Sequence, residues 1–405
     1  MHVLSRLAAA LPLVTTTIWA LPTTNTSTPS TLYVSHYDGH VYTLSLDTAA
    51  RKLTLANSLQ ACGEMPSWVT FDAGSSTLYC VDESGSSANS GNGTLSSFAV
   101  AANGSLSQTA KATTLPGGVA SVIYEDNDGR EYLAIAHYEG SAVSNFKLPI
   151  TDDSTALQTF EFTLPGPPTD PSRQDAPHPH ETFLDPTGAY VLSPDLGSDL
   201  IHIFAIDKAS GELNQCDAFA VKGGNGPRHG AWWAKTDGDD SSNNVYALYI
   251  SNELANTVSI YNASYKDNCL VLKESDEIVP YPKEVPSTAN VAEVRIAGDR
   301  DVYVSMRNDQ AFPPNDSMAL LQASVDDSAL TYTNLTTSYG KTPRTFVINN
   351  AGTLLAIGNQ ASSDVAIVER DPKTGALGEL VAQLQVGAQG TPGQADGLSS
   401  VIWAE

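Results

Sequence analysis

Basic side chains are scarce. Only 21 lysines and arginines stand against 45 acids, a net charge of −24 over 405 residues. That balance argues against a nucleic acid or an anionic membrane as partner, because either needs dense Lys/Arg. Long apolar runs are also lacking. Beyond the N-terminus no segment approaches the ~18 apolar residues of a membrane span. No Gly-x-Ser-x-Gly elbow offers a nucleophilic serine, and "GGNG" lacks the strand-to-helix context of a phosphate loop. No helical period appears after residue 31. Cysteine is limited to Cys62, Cys80, Cys216 and Cys269. Their spacing fits no zinc finger or ribbon, so disulfides are expected and a metal is not. Three pairings are open, and the locally simplest is Cys62–Cys80 with Cys216–Cys269.

The first residues read apart from the rest. "MHVLSRLAAALPLVTTTIWALP" has basic Arg6, an apolar stretch from Leu7 to Trp19 and small Ala20 as a cleavage position. This predicts a secretory signal peptide over residues 1–20, then a short polar segment over 21–30. An uncleaved anchor is the alternative. Sequons at Asn25, Asn92, Asn103, Asn262, Asn315 and Asn334 agree with a secreted, extracellular, glycosylated chain.

What is abundant is repetition. "TLYVSHYDGHVYTLSLD", "EYLAIAHYEGSAVSNFKL", "AYVLSPDLGSDLIHIFAID" and "TLLAIGNQASSDVAIVERD" each read as a strand, a polar turn and a second strand. Seven such copies recur about every 46 to 58 residues, a propeller or array period. Most follow another short strand candidate, such as "PSWVTFD" or "TPRTFVINN", and precede a less regular one, giving about four strands per copy. The first copy has no preceding strand, and "GLSSVIWAE" (397–405) has no hairpin partner. Ring closure solves both deficits and removes free edges. The predicted fold is all-β: a seven-bladed β-propeller over residues 31–405, its C-terminal strand closing the first blade. Two β-sandwiches are the alternative, disfavoured because no Pro/Ser-rich linker divides the repeats.

In a propeller, inner-strand starts and second-strand turns lie near the central channel. Inner starts fall on Ser67, Gly118/Ser121, His180, Arg228/His229, Asn290, Arg344 and Ser399. Second-strand turns fall on His36, Asp82/Glu83, His137, Asp195, Glu253, Arg307 and Asn359/Gln360. Arginine forks suit a carboxylate or phosphate, and histidine moves protons near neutral pH. The set therefore predicts a small anionic or lactone substrate and no cofactor. His178, flanked by prolines, reads as a loop residue.

The phrases "HPHETFLDPTGAYVLSPDLGSDLIHIF", "GNGPRHGAWW", "YISNELANTVSIYN", "YVSMRND" and "KTPRTFVINNAGTLLAIGNQASSDVAIVERDPKTG" carry a resemblance over nearly the whole chain. The sequence resembles the lactonase family of seven-bladed propellers. That family includes the bacterial-type 6-phosphogluconolactonases and the fungal 3-carboxy-cis,cis-muconate lactonizing enzymes (carboxy-muconate cyclases). The resemblance implies a quartet of one His, two Arg and one Glu, falling on His180, Arg228, Glu253 and Arg307. It implies no metal, and it does not select a branch. The reading it gives is a secreted enzyme that forms or opens a lactone on a small carboxylated substrate. His180 and Glu253 would be catalytic, and Arg228, Arg307, His137, Asp195 and Arg344 would bind substrate. The alternatives are 6-phosphogluconolactonase-type hydrolysis, or a ligand-binding propeller without catalysis.

Overall fold

The computed structural model describes residues 29–85, 92–235, 245–324 and 326–405. The predicted signal peptide and Asn25 lie outside the described residues. The chain forms seven antiparallel sheets in a ring. Blade 1 holds Ser30–His36, His40–Asp47 and Lys52–Gln60, with Leu398–Trp403 as its inner strand. The closing strand pairs Trp403 with Leu32, Ile402 with Tyr33 and Val401 with Val34, so both ends of the ring share one sheet. The inner strands of blades 2 to 7 are Pro66–Asp72, Gly118–Glu125, Phe183–Leu184, Pro227–Lys235, Asn290–Ala297 and Pro343–Ile348.

The burial pattern explains the architecture. Second strands bury consecutive residues, as in Thr77–Asp82 and Tyr190–Asp195, because a neighbouring blade covers each face. Outer strands alternate, as in Lys52–Gln60, because one side meets water. The apolar residues gather into seven clusters, each between two adjacent blades. Phe98, Phe146, Phe204 and Phe346 are at most 1% exposed in four of them. Burying each contributes about 1.5–3 kcal/mol.

Two disulfides form in the locally simplest pairing. Cys62–Cys80 ties the blade 1–2 connection to blade 2, with Cα atoms 5.8 Å apart. Cys216–Cys269 clasps blade 4 to the outer strand of blade 5, with Cα atoms 6.0 Å apart. Of the sequons, Asn92, Asn103, Asn262 and Asn334 are exposed and Asn315 is half-buried.

One irregularity repeats around the ring. At the same end of the inner strand, the pairing with the second strand shifts register between Pro66 and Trp68, Gly118 and Ala120, Pro227 and His229, Val291 and Val294, and Pro343 and Thr345. The closing strand shifts beside Ser35 and His36. In blade 4, Pro179 faces Asp195 and Phe183 faces Leu192, four residue steps against three. Each blade thus carries a bulge at one mouth of the channel. Bulges re-aim side chains. The expected blade 4 inner strand shrinks to Phe183–Leu184 because Pro177 and Pro179 lack an N–H for the ladder.

Candidate active site

The bulged ends and the second-strand turns meet at one mouth. They enclose a cavity of ≈ 360 Å³ lined by His180, Arg344 and Asn290 from the inner set and by Glu83, Glu253, Arg307 and Gln360 from the turns. Tyr138, Arg173, Asn308, Thr342 and Gln394 complete much of the wall.

Glu253 organises the cations. Its Oε1 accepts a hydrogen bond from Arg173 Nη2 at 2.6 Å. Its Oε2 lies 2.7 Å from Arg307 Nη2 and 2.9 Å from Arg228 Nε, as ion pairs without the alignment of hydrogen bonds. Burial alone would raise this carboxyl, but Arg307, Arg228 and Arg173 outweigh it and hold Glu253 well below the ordinary range. Arg228 Nη1 and Arg307 Nε are buried without an acceptor. Unmatched guanidinium donors of this kind have capacity for an anion.

Arg344 sits across the cavity. Its guanidinium lies over the Tyr37 ring at 5.6 Å and 3.7 Å from Glu83 Oε2. Glu83 is itself held by Ser67 Oγ at 2.8 Å and by the Tyr37 hydroxyl. With four arginines against two carboxylates, the mouth is cationic in a protein that is strongly anionic elsewhere.

His180 lines the same cavity. Burial, then Arg228, His229 and Arg344, hold its imidazole well below the usual histidine range, and Glu253 only partly opposes them. The ring is therefore neutral at pH 7, and an anion bound against the arginines would offset their charge and raise its proton affinity. Its Nδ1 is buried without a partner, Tyr138 meets it edge-on at 5.7 Å, and its backbone N–H donates to Pro194 O at 2.9 Å. His178 is a brace: it stacks on Tyr138 at 4.1 Å, and its ring nitrogens lie within donating distance of Tyr138 O at 2.9 Å and Asp175 Oδ1 at 3.1 Å.

Three expected substrate-binding residues stand off the cavity. Arg228 is buried behind Glu253 and contributes charge from there. Asp195 does not line the cavity, because its carboxylate is filled by the His178, Gly197 and Ser198 N–H groups and by His202 at 3.0 Å. His137 is fully buried against Ser144 Oγ at 2.8 Å. Side chains alternate along a strand, so the last residue of a second strand mostly turns into its blade while the next one faces the channel; Arg307, last in its strand, is the exception and reaches the cavity. Glu83, Tyr138, Glu253, Asn308 and Gln360 are all such next residues. Tyr138 was legible by that rule from its place after His137. Arg173, on the long connection into blade 4, had no sequence signal beyond the scarcity of base.

Beneath the cavity the bulges bring together Glu181, His229 and Glu293, whose ligand-capable atoms lie within 4.8 Å of one another. These residues are 48 and 64 apart in sequence, so no local motif announces them.

The fold and site define a closed seven-bladed propeller with a cationic, histidine-bearing mouth. Residues 31–391 match the model of the family described as lactonase, 7-bladed beta-propeller. The chain belongs to that family. A protein of Arthroderma benhamiae named probable 6-phosphogluconolactonase is 28% identical over 83% of this chain and 81% of its own length. The 6-phosphogluconolactonase of Formosa agariphila is 30% identical over 67% of this chain and 72% of its own. Among solved structures, the Pseudomonas aeruginosa periplasmic gluconolactonase PpgL superposes with a TM-score of 0.75 at 20% identity, over 93% of this chain and 99% of the other, a likeness of fold.

Proposed function

We propose that this protein hydrolyses a sugar-derived lactone bearing an anionic group, as the name 6-phosphogluconolactonase describes for its relatives. The observation that carries the reading is a neutral imidazole, His180, sharing a cavity with Arg173, Arg307 and Arg344. The arginines hold the substrate's anion and stabilise the oxyanion that develops on the attacked carbonyl. His180 takes a proton from water as the oxygen adds to the carbonyl carbon. The ring C–O bond then breaks, and the departing oxygen takes that proton back from the imidazolium, releasing a hydroxy acid. Glu253 fits poorly as a second base. A carboxylate held ionised by three arginines has little proton affinity, so its part is to position them.

The relatives' names favour hydrolysis over the ring-closing reaction of the muconate branch. Export is part of the proposal and rests on the sequence of residues 1–20, with four exposed sequons in agreement. The test is turnover of 6-phosphogluconolactone, gluconolactone and a carboxy-muconate by the purified protein. Lactone hydrolysis is expected, with His180→Ala lowering kcat by about 10² or more while thermal unfolding stays unchanged. Turnover of the muconate alone, or an unaffected His180→Ala, would overturn the reading.

A further inference from the structure

The channel floor gathers two buried carboxylates and an imidazole. Glu181 and Glu293 supply two carboxylates with side chains 3% and 0% exposed. Arg295 supplies one cation, 3.4 Å from Glu181 Oε1 and 3.0 Å from Glu293 Oε1. His229 adds an imidazole beside them, its side chain 2% exposed. The three donors are placed for a cation.

His229 Nδ1 lies 2.9 Å from Glu293 Oε1 and 3.5 Å from Glu181 Oε1. Around a tetrahedral ion bound at about 2.0–2.2 Å, ligand atoms sit roughly 3.3–3.5 Å apart. Glu293 Oε2 is buried without a well-aligned hydrogen bond, Thr345 being its nearest donor. The ligands are oriented from behind. Glu181 Oε2 accepts from Gly230 N–H at 2.7 Å, and the Glu293 and His229 N–H groups donate to Ser305 and Ser251 Oγ at 3.0 and 3.2 Å. Arg295 is 27% exposed at its side chain, so it can swing toward solvent and open a path.

We propose that Glu181, His229 and Glu293 form a site for one divalent transition-metal ion at the channel floor beneath His180. Two carboxylates and an imidazole suit zinc or manganese better than calcium. The ion displaces the Arg295 guanidinium. It lies below the cavity, where the His229 and His180 rings are 5.3 Å apart, and its presence is read without any substrate.

The full chain, stripped by a chelator, is titrated with zinc chloride by calorimetry, and its metal content is measured after desalting. The expected result is one zinc per chain. Glu293→Gln and Glu181→Gln should each weaken binding by about a hundredfold or more. No uptake by the wild type would overturn the proposal. So would equal uptake in the glutamine variants, which would move the ion to the group of His36, Asp38 and His40. Should both glutamine variants fail to fold, His40→Ala decides: unchanged uptake supports the channel site, and lost uptake overturns it.

Discussion

Replacing Glu253 with glutamine separates the two roles a carboxylate could have at this mouth. The side chain keeps its size and loses its charge, leaving Arg173, Arg228 and Arg307 facing one another with nothing between them. Each nitrogen lies 2.6–2.9 Å from the carboxylate in the native protein. Two unit charges about 4 Å apart at an effective dielectric of ~20 interact by about 4 kcal/mol. Breaking a buried pair by removing one partner costs about 3–5 kcal/mol. That is a large part of the ~5–15 kcal/mol that holds a domain folded. Urea unfolding at pH 7 should therefore show Glu253→Gln less stable by about 3–5 kcal/mol. Inorganic phosphate should restore part of the loss in the variant, because a dianion can stand where the carboxylate stood. The pH dependence has a fixed sign. A carboxyl whose folded pKa is depressed contributes stability above its unfolded value of 4.5, and that stability is lost as pH falls through the folded pKa. The gap between wild type and variant should narrow in acid. A variant as stable as the wild type, insensitive to phosphate and merely inactive, would make Glu253 a general base and refute the counter-ion reasoning.

His137 offers a second titration. Burial lowers its pKa from 6.5 to about 4, so the protein is fully stabilised above pH 6.5 and loses about 3 kcal/mol as pH falls to 4. Stability curves of wild type and His137→Gln should converge or cross by that amount between pH 7 and 4, and parallel curves would contradict it. Deleting residues 397–405 removes Leu398, Val401 and Trp403 from the cluster between blades 7 and 1 and leaves Ser30–His36 as an open edge. The expected outcome is loss of cooperative thermal unfolding, seen by calorimetry, and a sharp transition near the wild-type midpoint would argue against ring closure as the source of stability.

The blades were legible because repetition is a long-range signal that survives errors in any one strand. The unpaired "GLSSVIWAE" even located the seam. The site was legible at His180, Glu253, Arg307 and Arg344, where resemblance or position named a residue that does reach the cavity. It failed at Asp195, which is taken up by its own turn, and at His137 by a single residue of register, since Tyr138 lines the cavity instead. Period-two alternation turns that slip into the opposite face of the sheet. Arg228 was assigned to substrate, yet it stands one layer back, because depth along the channel leaves no trace in spacing. The channel cluster was hidden for the same reason: His229 was named as an inner start, but Glu181 and Glu293 were not, and only the bulges bring the three together.

Those bulges also bear on how such a protein can diversify. A residue inserted against a regular ladder leaves the pairing on either side intact. Ser67, Val119, Arg228, Arg344 and Ser399 occupy equivalent bulged positions around one rim, yet they span hydroxyl, aliphatic and guanidinium chemistry. The rim works like a set of interchangeable sockets on a rigid wheel. A lineage can therefore exchange what it recognises one socket at a time, while the seven inter-blade cores that keep the wheel round stay as they are.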